Sequence, residues 1–149
     1  MAETKVQFDD FNDFMVGKIT EMEAVDYVAS NRLKDKDGNA KVWKIKAISS
    51  KEDDAIRKSC MRNVKVPGRS NAVRPEIDTS LYMGRVAVAC TVYPDLNNKA
   101  LQDHYGVMSG DELLKAMLLP GEYTDYINKI SEINGFDVGN DELVEQAKN

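Results

Sequence analysis

The sequence predicts an α+β fold that is mostly helical and contains one antiparallel β-hairpin. Residues 79–93 form an apolar stretch that is long enough to be a central buried helix. A segment rich in turn formers, residues 35–39, precedes residues that alternate between apolar and charged, which is typical of a strand. The last third of the chain repeats apolar residues at helical spacing. We therefore expect five to seven helices in one domain over residues 1–149.

The N-terminal region carries a cluster of aromatic residues. Residues 1–7 are polar and are expected to be frayed, as is the other end of the chain, residues 137–149. The next segment predicts a short amphipathic helix that ends at Gly17. Its large apolar side chains need a surface to pack on, which is provided either by the rest of the domain or by a partner. They are Phe8, Phe11, Phe14 and Met15.

Residues 22–33 and 41–48 are predicted to pair as the β-hairpin. In the second segment Trp43 and Ile45 share one face and Lys44 lies on the other, as in a half-buried strand. The first segment is ambiguous, because Thr20 and Glu23 match a capping box and favour a helix. The hairpin is preferred because the strand at 41–48 needs a partner across the turn at Gly38.

A helix is predicted from Ser49 or Ser50 to about Asn63, with acidic residues in its first turn, where the helix dipole favours them. Its inner face is expected to consist of Ala55, Ile56, Ser59 and Cys60. The following residues, 64–75, are predicted to be a loop because they are rich in Pro, Gly, Ser and Asn.

The segment from Arg57 to Pro75 is the one clear charge asymmetry of the sequence. It contains six basic residues and no acidic one: Arg57, Lys58, Arg62, Lys65, Arg69 and Arg74. Two interpretations remain open, a solvated loop facing the acidic helices and a docking site for an acidic partner. Contact with phosphate or nucleic acid is disfavoured, because neither a phosphate-binding glycine loop nor interleaved aromatic residues accompany the charges.

Residues 79–93 are predicted to form the central helix. Ten of the fifteen are apolar and Arg85 is the only charged one, so the helix should be buried on most sides. The alternation over 86–92 also suits a buried strand, but fifteen residues exceed the usual strand length. A cap at Thr79 and the stop at Pro94 fit a helix. Arg85 is expected to pair with a buried carboxylate.

Three further helices and a weak fourth are predicted after the central one. They cover about 98–104, 109–118 with a capping box at Ser109, and 123–133. The last of the three should end at Gly135 in the left-handed conformation, with Phe136 covering that end. Residues 141–149 form a weakly amphipathic helix candidate that carries Leu143 and Val144. The residues expected to face inward from 109–118 are Leu113, Leu114, Met117 and Leu118.

The composition narrows the class of protein. The net charge of −5 argues against general nucleic-acid binding. No apolar run reaches the length of a membrane span, and the acidic N-terminus does not resemble a signal peptide. Cys60 and Cys90 lie in apolar surroundings, which suggests buried thiols in a reducing cytoplasm. We therefore expect a cytoplasmic protein with neither nucleic acid nor membrane as a partner.

Sequence motifs for catalysis are not found. His104 is the only histidine, which excludes two-histidine metal sites. Asp35, Asp37 and Asn39 resemble the start of a calcium loop, but Lys46 stands where the loop needs its final glutamate. We expect no catalytic residue, no metal site and no cofactor, and therefore a non-enzymatic interaction protein.

Several stretches taken in order resemble a known family. They are N-R-L-K-D-K-D-G, then V-W-K-I-K-A-I-S-S-K-E, V-Y-P-D-L, D-E-L-L-K-A-M-L-L-P-G-E-Y and I-N-G-F. In this order, from about Phe11 to Phe136, the chain resembles the XkdN-like tail assembly chaperones of tailed phages and phage-like prophage elements. One departure is Leu33, where a larger aromatic residue is expected.

The resemblance implies a non-enzymatic chaperone that binds the tape measure protein and keeps it soluble during tail assembly. Such a chaperone acts in the bacterial host cytoplasm and is not expected in the mature tail. Self-association is also expected, for which the exposed edge of the hairpin is available unless the N-terminal helix covers it. The candidate partner-binding residues are Phe8, Phe11, Phe14, Arg62, Lys65, Arg69, Arg74, Phe136, Leu143 and Val144.

The resemblance also raises the expectation of a longer product made by programmed ribosomal frameshifting. The end of the chain, Ala147-Lys148-Asn149, can be encoded as GCA-AAA-AAC, which contains a slippery run. Other functions stay open beside the chaperone: a structural component retained in the tail or baseplate, a small adaptor unrelated to phage, and an enzyme.

Overall fold

The computed structural model describes residues 11–15 and 22–136. The structural predictions for Phe8, Gly17, Thr20, Leu143 and Val144 lie outside the described residues. The described part contains a short 3-10 helix, five α-helices and five strands. In chain order they are the 3-10 helix Phe11–Phe14, β1 Val25–Tyr27, β2 Trp43–Ile45, α1 Ser50–Ser59, β3 Met61–Lys65, β4 Val73–Ile77, α2 Thr79–Cys90, β5 Thr91–Tyr93, α3 Lys99–Tyr105, α4 Gly110–Met117 and α5 Pro120–Ile133.

The predicted hairpin is confirmed, although its ladder is short. β1 and β2 pair antiparallel, with Val25 opposite Ile45, and an isolated bridge joins Lys34 to Ala40 near the turn. Trp43 and Ile45 are buried, whereas Lys44 points outward and forms an ion pair of 2.7 Å with Asp26. The faces of this strand are therefore those that the alternation predicts.

The central helix is confirmed, but it ends three residues earlier than predicted. α2 stops at Cys90, and residues 91–93 form β5, which pairs antiparallel with β2. The reason is that these β-branched and aromatic residues find a strand partner, while the Thr91 hydroxyl donates to the Ala87 carbonyl and closes the helix. The cap is Asp78 rather than Thr79, since the Asp78 carboxylate accepts from the Leu81 N–H at 3.2 Å.

β5 also changes which edge of the sheet is open. The strand order is β1-β2-β5, so β5 covers the outer side of β2 and the first strand of the predicted hairpin remains an edge. Helices α1, α4 and α5 pack against α2. The buried apolar core consists of Ala29, Trp43, Ile45, Cys60, Tyr82, Val86, Ala87, Cys90, Leu96, Leu113, Leu114, Met117, Leu118, Tyr126 and Ile130.

The contact between α2 and α4 depends on two glycines. A Cβ atom at Gly84 of α2 would lie 3.1 Å from the Cβ of Asp111, and one at Gly110 of α4 would lie 2.8 Å from Cγ1 of Val88. Both distances are shorter than ordinary van der Waals contacts. The two helices therefore approach each other more closely than larger residues would allow.

The predicted loop at 64–75 is wrong, and so is the helix to Asn63. α1 ends at Ser59, and a second antiparallel hairpin follows, with Met61 opposite Ile77 and Lys65 opposite Val73. Pro75 is unusual in a strand, so the sequence pattern does not indicate β4. A proline is nevertheless tolerated where the strand has no further neighbour. The true turn lies at 66–72, with Gly68 at a φ of +81°. Of the expected inner face of α1, only Cys60 is buried and Ile56 half-buried.

The three C-terminal helices largely match their predictions. Asn98 caps α3, and Ser109 caps α4. The four predicted inward residues of 109–118 are all buried. α5 begins at Pro120, three residues earlier than predicted, because proline suits the first turn of a helix. Gly135 ends the helix at a φ of +78°, as expected.

Candidate interaction surfaces

The structure places the described partner-binding candidates in three separate parts of the chain. Phe11 and Phe14 lie in the 3-10 helix with 63% and 77% of their surface exposed, so they are not packed into the described core. Phe136 follows α5 at the other end of the described chain. Phe8, Leu143 and Val144 lie outside the described residues. The four basic residues are brought together on the second hairpin: Arg62, Lys65, Arg69 and Arg74.

We call residues 61–77 the arm. Both of its strands are exposed along most of their length, and Val73 is 60% exposed. Its base is fixed by a hydrogen bond of 2.8 Å from the Asp78 N–H to the Cys60 carbonyl and by Ile77, which packs against the core. Arg62 lies 3.7 Å from the Asp78 carboxylate. The arm is therefore anchored at one end only.

A second surface is a groove of about 560 Å³ between α2 and α5, which we call the α5 groove. Its walls include Met83 and Val86 from α2 and Ile127 from α5. Phe136 lies at its end with 49% of its surface exposed, so it does not fully cover the end of α5 as expected. The α5 groove is open to solvent and has a mixed lining, in which these apolar side chains stand beside charged ones such as Asp125 and Glu132.

Arg57 stands at the edge of the α5 groove and is held there by two neighbours. Its guanidinium lies 4.6 Å from the centre of the Tyr82 ring, and its Nε donates to the Asp53 carboxylate at 2.9 Å. The Tyr82 hydroxyl donates to the other oxygen of Asp53. These contacts give the rim a fixed cation beside an aromatic ring.

The same cluster shifts the pKa values of its members. The hydrogen bond from Tyr82 is the main cause that lowers the pKa of Asp53, and the Arg57 charge adds to it. Burial is the main cause that raises the pKa of Tyr82, with the Asp53 contact in support. The spacing of Asp53 and Arg57 on one helix would have suggested their ion pair, but no local pattern points from α1 to Tyr82.

Arg85 does not pair with a carboxylate among the described residues, contrary to the prediction. Its Nη1 donates to the Ser59 carbonyl and to the Ser59 hydroxyl, both at 2.9 Å. The reason is that Arg85 is only partly buried, so its charge does not need a buried counter-ion. It connects the end of α1 to α2.

The two cysteines are free thiols and both are buried, as predicted. Burial raises the pKa of the Cys90 thiol, and the Asn134 amide donates to its sulfur at 3.3 Å. Thiolate is the reactive form of cysteine, so this environment favours an inert structural side chain at Cys90.

Other kinds of site are not seen in the part of the chain that the structure describes. Residues 11–15 and 22–136 contain no group of three or more side chains that could ligate a metal ion. Within the same residues, the helices are too short or too polar to cross a membrane. The two surfaces that stand out are the arm and the α5 groove.

Known proteins resemble the chain over nearly all of its length. It is 34% identical to the Phage-like element PBSX protein XkdN of Bacillus subtilis (strain 168), over 100% of both chains. It is 38% identical to the protein YqbN of the same organism, over 94% of this chain and 93% of YqbN. The crystal structure of YqbN superposes with a TM-score of 0.72 and covers 89% of this chain and 100% of that chain, at 34% sequence identity.

A family model adds the last observation. The model described as phage XkdN-like tail assembly chaperone protein matches residues 11–148. This range includes the arm, the α5 groove and every sequence stretch that carries the resemblance. The chain therefore belongs to the family of phage XkdN-like tail assembly chaperones.

Proposed function

We propose that this chaperone binds the tape measure protein of its phage or prophage and keeps it soluble until the tail tube forms around it. It acts in the host cytoplasm, without catalysis, and leaves before the tail is complete. A tape measure protein is a long helical chain with apolar stripes, and exposed stripes of this kind aggregate. A chaperone for such a chain needs an apolar surface that can be covered and released.

The α5 groove is the observation that carries this proposal. Met83, Val86 and Ile127 give it an apolar interior, and the exposed ring of Phe136 extends the apolar surface at its end. An amphipathic helix binds such grooves by placing its apolar face into them. The charged side chains that also line the groove, among them Lys129 and Glu132, can bind polar residues that flank the apolar stripe.

Co-expression with the tape measure protein of the same element tests the proposal. With the wild-type chain we expect soluble tape measure protein that co-elutes with the chaperone. Phe136→Asp should reduce the soluble fraction, because it places a charge in the apolar path. Phe136 is half exposed, so this change should leave the fold intact.

Met108→Asp is the matched control, because Met108 is 91% exposed between α3 and α4 and does not line the α5 groove. It makes the same change of charge and should leave the soluble fraction unchanged. Equal loss with both variants would contradict the assignment to the α5 groove. Detection of the protein in purified tails would instead favour a retained structural component.

A further inference from the structure

We propose that the arm is a docking surface for a second copy of this chain, with the basic arm of one copy lying on the acidic surface of the other. This inference goes beyond the binding of a tape measure protein and uses a different part of the molecule. It rests on the isolation of the arm, its exposed edges and apolar side chains, and its charge.

The arm extends away from its anchored base. Two strands of five residues span about 17 Å. Only the base of the arm contacts the rest of the described residues, through Arg62, Ile77 and the neighbouring Asp78. The other hydrogen bonds of the arm join its own residues, such as that from the Val66 N–H to the Ala72 carbonyl at 3.0 Å. No other described element forms an ion pair with it.

A two-stranded ribbon of this kind is marginally stable on its own in water. The outer edge of β3 has unpaired N–H and C=O groups, which can accept another chain, whereas Pro75 removes one N–H from the edge of β4. Apolar side chains are exposed as well, since Met61 is 47% exposed and Val73 even more so. Docking would bury these side chains and satisfy backbone groups, so it would stabilise the arm more than it would stabilise a solvated loop.

Charge selects the kind of partner. The arm has four basic residues and one acidic residue, Glu76, which gives a net charge of +3. The whole chain has a net charge of −5, so the remainder carries −8, of which −3 belongs to the described residues outside the arm. Lys65, Arg69 and Arg74 make no ion pair with the described residues. A second copy therefore offers the opposite charge that complements the arm.

Nucleic acid fits the arm less well than a second copy does. The arm contains no aromatic residue on which bases could stack, and the acidic remainder of the chain repels phosphate. The described chain also offers acids for an incoming arm, because Asp95, Asp111 and Asp125 take part in no ion pair among the described residues.

The arm and the surface that receives it are different parts of the molecule. Two copies that exchange arms close a dimer, whereas copies that pass their arms in one direction build a ring or an open chain. Either arrangement gives a measured molecular mass above that of one chain. Because the attraction is electrostatic, it should weaken as salt shortens the screening length.

Analytical ultracentrifugation of the full chain over a range of protein and salt concentrations tests the inference. We expect wild-type protein to self-associate at low salt and to dissociate at high salt. The double variant Arg69→Glu, Arg74→Glu should raise the dissociation constant about tenfold or more. Lys36→Glu with Lys51→Glu is the matched control, since these exposed lysines also lack an ion pair among the described residues and lie outside the arm, and this variant should self-associate more strongly than the arm variant.

Circular dichroism establishes whether each variant is folded. If the double variant Arg69→Glu, Arg74→Glu is unfolded, Arg69→Gln with Arg74→Gln takes its place. A wild-type chain that stays monomeric under all conditions overturns the inference. So does an oligomer that both arm variants leave intact. If the arm variants self-associate normally but no longer make tape measure protein soluble, the arm belongs to that partner instead. The Phe136 variant reports on the tape measure protein alone, so the two proposals can fail independently.

Discussion

The side chain of Arg32 donates a hydrogen bond of 3.0 Å to the main-chain carbonyl of Met117. The same nitrogen lies 3.1 Å from the carboxylate of Glu122, which in turn accepts from the Leu119 N–H at 2.7 Å. Arg32 thus connects the segment after β1 to the junction of α4 and α5. Glu122 of the stretch L-L-P-G-E-Y therefore contacts both the start of α5 and the side chain of Arg32.

Removing Arg32 tests this connection. Arg32→Ala should lower the urea midpoint of unfolding, because the Met117 carbonyl loses its charged donor and the Glu122 carboxylate loses its partner. The denaturant slope should stay the same. Lys34→Ala, two residues further on, makes no such contact and should change the midpoint little. Equal midpoints for the two variants would show that the connection contributes nothing to stability.

The closeness of α2 and α4 leads to a second prediction. Gly110→Ala should destabilise the protein by about 1–3 kcal/mol, because the new methyl group overlaps Val88 and the helices must move apart. Gly121→Ala in the first turn of α5 meets no atom within 4 Å and should be neutral or stabilising by about 0.4–1 kcal/mol. Chemical denaturation of both variants measures the difference. A stable Gly110→Ala protein would mean that the two helices are not constrained at this point.

The burial of α4 in the core leads to a third prediction, on the stability of leucine-to-alanine variants. Leu113 of α4 is fully buried, so Leu113→Ala should cost about 2–5 kcal/mol through lost burial and the cavity that it leaves. Leu119→Ala removes the same atoms from a side chain that is half exposed and should cost clearly less. Similar free energies of unfolding for the two variants would contradict the packing of α4 described above.

The Asp53 cluster predicts a difference in acid stability. The pKa of Asp53 is lower in the folded chain than its ordinary value of about 3.9. Its contribution is therefore present above that ordinary value and is lost as the pH falls through the lower folded pKa. Asp53→Asn lacks this contribution, so the stability gap between wild type and variant should narrow as the pH falls below about 4.

The free energy of unfolding of both proteins, measured by urea denaturation from neutral to acid pH, checks this. The other carboxylates titrate in both proteins, so their contribution to the pH dependence cancels in the difference between the two free energies of unfolding. A gap that stays constant over the whole range would show that Asp53 is not held in its charged form by Tyr82 and Arg57.

Sequence patterns located most of the fold, because its main elements have strong local signals. Trp43 and Ile45 gave the buried face of β2, and the caps at Ser109 and Gly135 gave the limits of two helices. The arm was missed because Pro75 and Gly68 are typical of loops, and the alternation around Val64 is short. The end of α2 was missed because residues 91–93 are strand only by pairing with β2, a contact that lies far away in the sequence.

The surfaces were harder to predict than the fold. The basic residues were recognised from their run in the sequence, but their arrangement on an extended hairpin required the structure. The α5 groove brings together Met83, Ile127 and Phe136, which belong to separate segments, so no local pattern reveals it. The sequence predicts Phe136 as a candidate because it is one of the surplus apolar residues near the two ends of the chain.

The most direct test of the account is the amount of tape measure protein that remains soluble when it is co-expressed with this chain. Light scattering of the eluted complex then gives its mass. The account predicts soluble tape measure protein in a complex with this chain, and a smaller soluble amount with Phe136→Asp but not with Met108→Asp. Tape measure protein that stays insoluble, with this chain and any longer frameshifted form both present, would contradict it.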